Sequence, residues 1–181
     1  MFATKIIFSS IAICLAMVNC VNEGNDKTIV PVKDTIAITP AEEIVSIDKL
    51  TPDSLLSFAR TLIGIPYLYA STDPKKGLDC SGFITCVFNH FNVTVPRSSI
   101  QFTNYGKHID IDKAKPGDLI LFTGTDKSIR IVGHMGIVES IKNDTLHFIH
   151  SSSGKANGVT ITPFNEHYKG RFVKVIRVLK D

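Results

Sequence analysis

A chain of 181 residues with 44% hydrophobic side chains, 20% charged side chains and eleven phenylalanines can bury one proper core, which excludes a disordered or fibrous protein. Its net charge of +3 is spread rather than clustered, so it carries no electrostatic footprint for nucleic acid. Lys174, Arg177 and Lys180 are expected on the wet face of a last strand.

Lys5 precedes an apolar run from Ile6 to Val18, too short for a membrane-spanning helix and suited to the core of a secretory signal peptide over residues 1–20. Export follows. Leu15-Ala16-Met17-Val18-Asn19-Cys20 resembles a bacterial lipoprotein signal, in which Cys20 is lipidated and anchors the mature chain to a membrane. It departs from that pattern at Met17, Val18 and Asn19, but no small-x-small site for ordinary cleavage ends the run. Without the anchor the protein is periplasmic or secreted. Residues 21–50, with Pro31, Pro40, Glu42 and Glu43 and no sustained period, read as a tether or linker.

The globular part begins at Thr51-Pro52-Asp53, where Thr51 can cap a helix, Pro52 suits its first position and Asp53 complements its dipole. Leu55, Leu56, Phe58, Ala59, Leu62 and Ile63 give that helix an apolar face, and Gly64 ends it. A loop rich in Gly, Pro and Lys leads to a second helix from Cys80 to about His90. A cysteine in the first helical turn faces unpaired N–H groups and a partial positive charge, which favour the thiolate and so a nucleophile. The plainer reading is a small buried hydrophobe. Cys86 lies about 600° further round the helix and ~9 Å along it, out of disulfide reach, and reads as core. With Cys14 and Cys20 in the leader, Cys80 is a free thiol in an exported protein, a liability unless it is used.

A further short helix is expected from Arg97 to about Tyr105. The period then changes to short β-branched and aromatic runs at 118–122, 134–138, 146–150, 159–162 and 172–179, separated by turns such as Asn143-Asp144 and Asn157-Gly158. Helices first and an antiparallel sheet second define an α+β domain.

A thiol nucleophile needs a base, and the base needs an orienting group. His134 and His150 sit on successive strands joined by a tight turn. A two-residue turn at Asn143-Asp144 would put them on opposite faces; an odd-length turn, or a bulge that corrects the parity, puts them on one face with Gly136 opposite His150. A triad therefore predicts one of those two devices. His147 points away from His150, which argues against a zinc site, while His90, His108 and His167 read as helix-end, loop and turn residues.

Five segments in order resemble the NlpC/P60 family of cell-wall cysteine peptidases: 77–83 (Gly77-Leu78-Asp79-Cys80-Ser81-Gly82-Phe83), Val95-Pro96-Arg97-Ser98-Ser99 with Gln101, 115–122, 133–138 and 148–153. The resemblance covers roughly residues 50 to 180 and makes 51–181 the catalytic domain. It implies a papain-like α+β fold, with the nucleophile helix packed on an antiparallel sheet of five to six strands. It also implies hydrolysis of peptide bonds in peptidoglycan stems or crosslinks, commonly beside diaminopimelate, without metal or cofactor. Cys80 matches the nucleophile, His134 the general base and His150 the orienting residue, while Tyr67 matches a tyrosine that lines the site and assists the oxyanion. Asp79 and Ser81 match positions that in some members hold a free stem-peptide amine; for Asp79 a plain helix cap is the alternative. Tyr69-Ala70-Ser71 departs from the family's Tyr-Gly-Gly and leaves the geometry of the substrate loop open. A thiol acyltransferase or amidase of the same broad fold, and a non-catalytic wall-binding lipoprotein, are the rival functions.

Overall fold

The computed structural model describes residues 50–180; the leader, Cys20 and the tether, apart from Leu50, lie outside the described residues. Helix α1 spans Pro52–Thr61 and α2 spans Cys80–His90. Strands β1 (Lys107–Ile109), β2 (Leu119–Thr123), β3 (Val132–Lys142), β4 (Thr145–Ser152), β5 (Gly158–Pro163) and β6 (Phe172–Arg177) follow, with a one-turn helix α3 (Glu166–Lys169) before β6. They form one antiparallel sheet in the order β1-β6-β2-β3-β4-β5, so the α+β expectation and the strand number both hold.

Each helix starts as its first residues dictate. Thr51 accepts a hydrogen bond from the Ser54 N–H at the head of α1, and Asp79 accepts one from the Gly82 N–H at the head of α2. Helix α2 packs on β3 and β4, and α1 packs on α2. The sheet carries apolar matter on both faces, and β2 is buried at all five positions for that reason. Leu119 and Leu121 join the core under the helices with Phe83, Val87, Phe88, Met135 and Ile137. Ile120 and Phe122 join a second cluster with Val138, Phe148, Tyr168 and Val175.

Several local expectations need correction. The segment after Arg97 is a 3-10 helix over Ser99–Asn104, started by a reciprocal Ser98–Gln101 capping box. His108 lies in β1 rather than a loop, and His167 lies in α3 rather than a turn. Ile63 falls beyond the end of α1 and is exposed. Arg177 does not sit on a wet face: its guanidinium meets both oxygens of the buried Asp118 at 2.7 and 2.9 Å, tying β6 to the turn before β2. Lys174 is held as well, donating to the Thr103 carbonyl at 2.7 Å.

Candidate active site

The parity of the β3–β4 hairpin decides whether two histidines can work together. The turn is the two-residue kind, with Lys142 opposite Thr145 and both Asn143 and Asp144 at positive φ, the geometry that matches the twist of a hairpin. Left alone, that turn would separate the histidines. Between Val138 and Ser140 the register slips by one, so Glu139 is an extra residue, and Ile137 then pairs with Ile149. Gly136 consequently falls opposite His150, and His134 lies diagonally from it on the same face. The bulge, not an odd turn, is the device used. It is anchored from the helix side, since the buried Glu139 carboxylate accepts from Arg60 of α1 at 3.0 and 2.8 Å and from Ser140 Oγ at 2.5 Å.

Once aligned, His134 Nε2 lies 2.9 Å from His150 Nδ1, and His150 Nε2 lies 3.0 Å from Thr162 Oγ1 on β5. The chain of three has a floor of aromatic rings. Tyr168 stacks on His134 with centroids 6.3 Å apart and meets His150 edge-on at 5.6 Å, and Phe148 lies 4.7 Å from His150. His150 is fully buried, and desolvation with the nearby Arg171 cation pushes it down to about 4. His134 is held well below the usual imidazole range by desolvation, then by His150 and Arg171. Both rings are therefore neutral at ordinary pH, the state in which a base can accept a proton.

Cys80 meets β3 on either side of His134. Its Sγ is 3.9 Å from the Gly133 carbonyl, and the N–H groups of Ser81, Cys80 and Met135 face the sulfur. A second register slip in β3, between Phe122 and Thr123 of the partner strand, leaves Gly133 without an opposite residue. No hydrogen bond joins Sγ to the His134 imidazole. The expected drift toward thiolate is reversed: burial, then the Asp79 carboxylate, push the thiol up to about 11 against the three N–H groups that pull it down.

The other expected residues line the same cleft, a cavity of about 490 Å³ that includes Tyr67, Asp79, Cys80, Ser81 and Arg97. Tyr67 is brought there by a parallel bridge to Leu78, and Ser151 Oγ on β4 donates to the Leu78 carbonyl at 2.6 Å, fixing the approach to α2. Burial and the neighbouring Cys80 and Asp79 raise the Tyr67 hydroxyl's pKa. Gly82 is required for this packing, because a Cβ there would lie 2.0 Å from the Ser71 carbonyl. Ala70 adopts φ 59°, the left-handed turn that glycine favours, so the loop keeps a tight bend despite the altered residue.

Asp79 is a cap and more. Its Oδ1 takes the Gly82 N–H at 2.6 Å and Ser81 Oγ at 3.1 Å, while Arg97 reaches both oxygens at 3.2 and 2.6 Å. In the sequence Arg97 shows only as part of a motif, and Thr162, Glu139, Tyr168 and Arg171 do not stand out as site residues. Only Thr162 had a local signal, standing two residues from Thr160 on an alternating strand; Thr160 proves to be opposite His150.

A model described as the NlpC/P60 family matches residues 64–178. The chain is 36% identical over 107 residues to a protein of Haemophilus influenzae named "Probable endopeptidase", covering 58% of this chain and 60% of that protein. It is 36% identical over 107 residues to the Escherichia coli protein named "Murein DD-endopeptidase MepS/Murein LD-carboxypeptidase", covering 58% of this chain and 52% of the other. The crystal structure of an NlpC/P60 family protein from Bacillus cereus superimposes with a TM-score of 0.65 at 28% identity, covering 75% of this chain and 43% of that one. The match therefore spans little more than half the length of the two sequence relatives.

Proposed function

Because the chain belongs to the NlpC/P60 family, we propose that it is a cysteine peptidase that hydrolyses peptide bonds in bacterial peptidoglycan stems or crosslinks, next to diaminopimelate. The observation that carries this reading is the 2.9 Å His134–His150 pair, aligned by a bulge, on the strand whose backbone Cys80 meets. Names given to the relatives, "endopeptidase" and "Murein DD-endopeptidase", support the substrate class.

In this mechanism His134 donates from Nε2–H to His150 Nδ1, and His150 donates from Nε2–H to Thr162 Oγ1, which leaves His134 Nδ1 to take the thiol proton. Sγ attacks the scissile carbonyl carbon as its proton passes to Nδ1. Since the thiol is protonated at rest, proton transfer accompanies attack instead of preceding it. The oxyanion is met by the Cys80 N–H, with Tyr67 at the cleft wall. Collapse breaks the C–N bond, and the imidazolium gives its proton to the leaving amine. Water then attacks the thioester, giving a proton to Nδ1, and the thiol and a carboxylic acid are released. Asp79 and Ser81 border the acyl side and receive a stem-peptide amine there, with Arg97 sharing the Asp79 carboxylate.

Export through residues 1–20 and lipidation of Cys20 would hold the domain at a membrane facing the cell wall. Metabolic labelling with an alkynyl fatty acid is expected to tag the wild type and not Cys20→Ser; equal tagging would end that part of the reading. Digestion of purified peptidoglycan with fragments read by mass spectrometry tests the activity. Stem or crosslink peptides with new amine and carboxyl termini are expected; unchanged peptides would sink the proposal, and products carrying an added amine instead of water would favour the acyltransferase.

A further inference from the structure

Lysines scattered along the sequence are gathered by the fold at one end of the sheet. A cavity of about 560 Å³ there is bordered by Lys107, His108, Asp110, Lys113, Lys115 and Arg177. It shares Lys115 and Arg177 with a smaller recess that adds Pro52 and Lys180. The strands define this end: Lys107 of β1 is opposite Arg177 of β6, and Arg177 holds Asp118 just before β2. We infer that this end of the domain is a membrane-docking surface for anionic lipid headgroups, which holds the catalytic cleft turned away from the bilayer. The inference takes the presence of a membrane from the export and anchor reading above, and goes beyond it.

Charge, the entry of the chain and the place of the cleft argue for it. Two carboxylates at this end are already neutralised, Asp110 by Lys113 and Asp118 by Arg177, each at 2.7 Å. Lys107 and Lys115 are exposed, and neither has a carboxylate partner among the described residues. Near an anionic leaflet each such ammonium adds about fivefold to binding. Exposed apolar side chains stand beside the charges: Ile111, two residues before Lys113, and Ile141 border a further recess with Asp112. Isoleucines flanking lysines suit the boundary between headgroups and acyl chains. The tether leads into the domain at this same end. Pro52, in the first turn of α1, borders the smaller recess, and a Cβ on Gly117 would lie 2.9 Å from the Pro52 Cβ. A lipid on Cys20 therefore joins the domain from the lysine side. The cleft lies at the other end of β2, where Phe122 is opposite His134, whereas Asp118 precedes the strand. Headgroup contact at the lysines thus points the cleft toward the wall.

The test uses the full chain carrying Cys20→Ser, so that no lipid of its own contributes, sedimented with vesicles at ~0.1 M salt. The vesicles are phosphatidylcholine alone, or phosphatidylcholine with about one third phosphatidylglycerol. The neutral vesicles report what the apolar leader contributes, and the ratio between the two compositions reports charge. Binding should be about thirtyfold tighter on the anionic vesicles, and Lys107→Gln with Lys115→Gln should cut that ratio by about tenfold or more. Lys127→Gln with Lys155→Gln, on exposed loops at the cleft end, should change it by less than about twofold. Acetylation of the bound protein, read by mass spectrometry, should slow several-fold at Lys107 and Lys115 and not at Lys127 or Lys155. A ratio near one, equal loss in the two double variants, or protection of Lys127 and Lys155 would overturn the docking surface. Lysine-dependent binding to lipid-free peptidoglycan in place of vesicles would overturn it too, by assigning this face to the wall polymer. No readout here needs turnover, so failure leaves the peptidase reading standing, and the anchor fails separately, by absence of fatty-acid label on Cys20.

Discussion

Asp79 acts on Cys80 with two opposite signs. As the cap of α2 it fixes the first helical turn, whose N–H groups pull the thiol down; as a carboxylate beside it, it adds to burial in pushing the thiol up to about 11. Asparagine caps almost as well and carries no charge. Asp79→Asn should therefore keep the helix start, leave the Arg97 cation beside the sulfur and lower the thiol's pKa, raising the rate of iodoacetamide alkylation at pH 8 by about threefold to tenfold. Mass spectrometry of the Cys80 peptide reads this apart from Cys86, and an unchanged or slower rate would mean that the carboxylate is not what holds the thiol up. At this scale the sequence was legible where chemistry is local. Cys80 announced itself by standing at a helix start, but the sign of its shift depends on burial, which no spacing encodes. Arg97 and Thr162 were silent because their partners, Asp79 and His150, lie across loops and strands.

The element that makes the histidines a pair is the bulge at Glu139. The need for it was legible from turn parity, because Asn143-Asp144 is a strong two-residue turn signal and His134 and His150 cannot share a face across it in a regular ladder. Its position was not legible, since Glu139 looks like any charged residue on a strand until Arg60 of α1 meets it. Deleting Glu139 removes the extra residue, and peptidase activity should fall below detection. Glu139→Ala keeps the residue count; it should retain most activity and lose about 1 kcal/mol of stability with the half-exposed Arg60 pair. Chemical denaturation and turnover of the two variants side by side measure this, and a deletion variant with wild-type turnover would contradict the role of the bulge. The short pieces, β1 and α3, escaped sequence reading because three or four residues hold no period; β1 exists by pairing with β6.

For the whole molecule, burying two neutral histidines ties stability to pH. Unfolded histidine titrates near 6.5, whereas desolvation and Arg171 push folded His150 down to about 4 and folded His134 moves the same way. Below pH 6.5 the unfolded chain binds protons that the native state refuses, so stability should fall between about pH 6.5 and 4, on the order of 3 kcal/mol from His150 alone. Urea denaturation at pH 7 and 4.5 reads the difference; equal stability would show that the rings are not buried neutral. Glu139 acts in a lower window. Its carboxyl is buried, yet Ser140 and Arg60 hold it below the ordinary range, so its contribution is lost only as pH falls below the ordinary glutamate range. The fold class was legible in the order of helices and strands, and the buried Asp118–Arg177 link that closes the sheet was not. The most direct test of the central claim is the rate of release of soluble peptides from purified peptidoglycan by the wild type, Cys80→Ala, His134→Ala and the double variant. Groups that act as one unit lose their rate together, so each single variant should be slower by at least ~1000-fold and the double variant no slower than either. Release by Cys80→Ala at the wild-type rate would contradict the account.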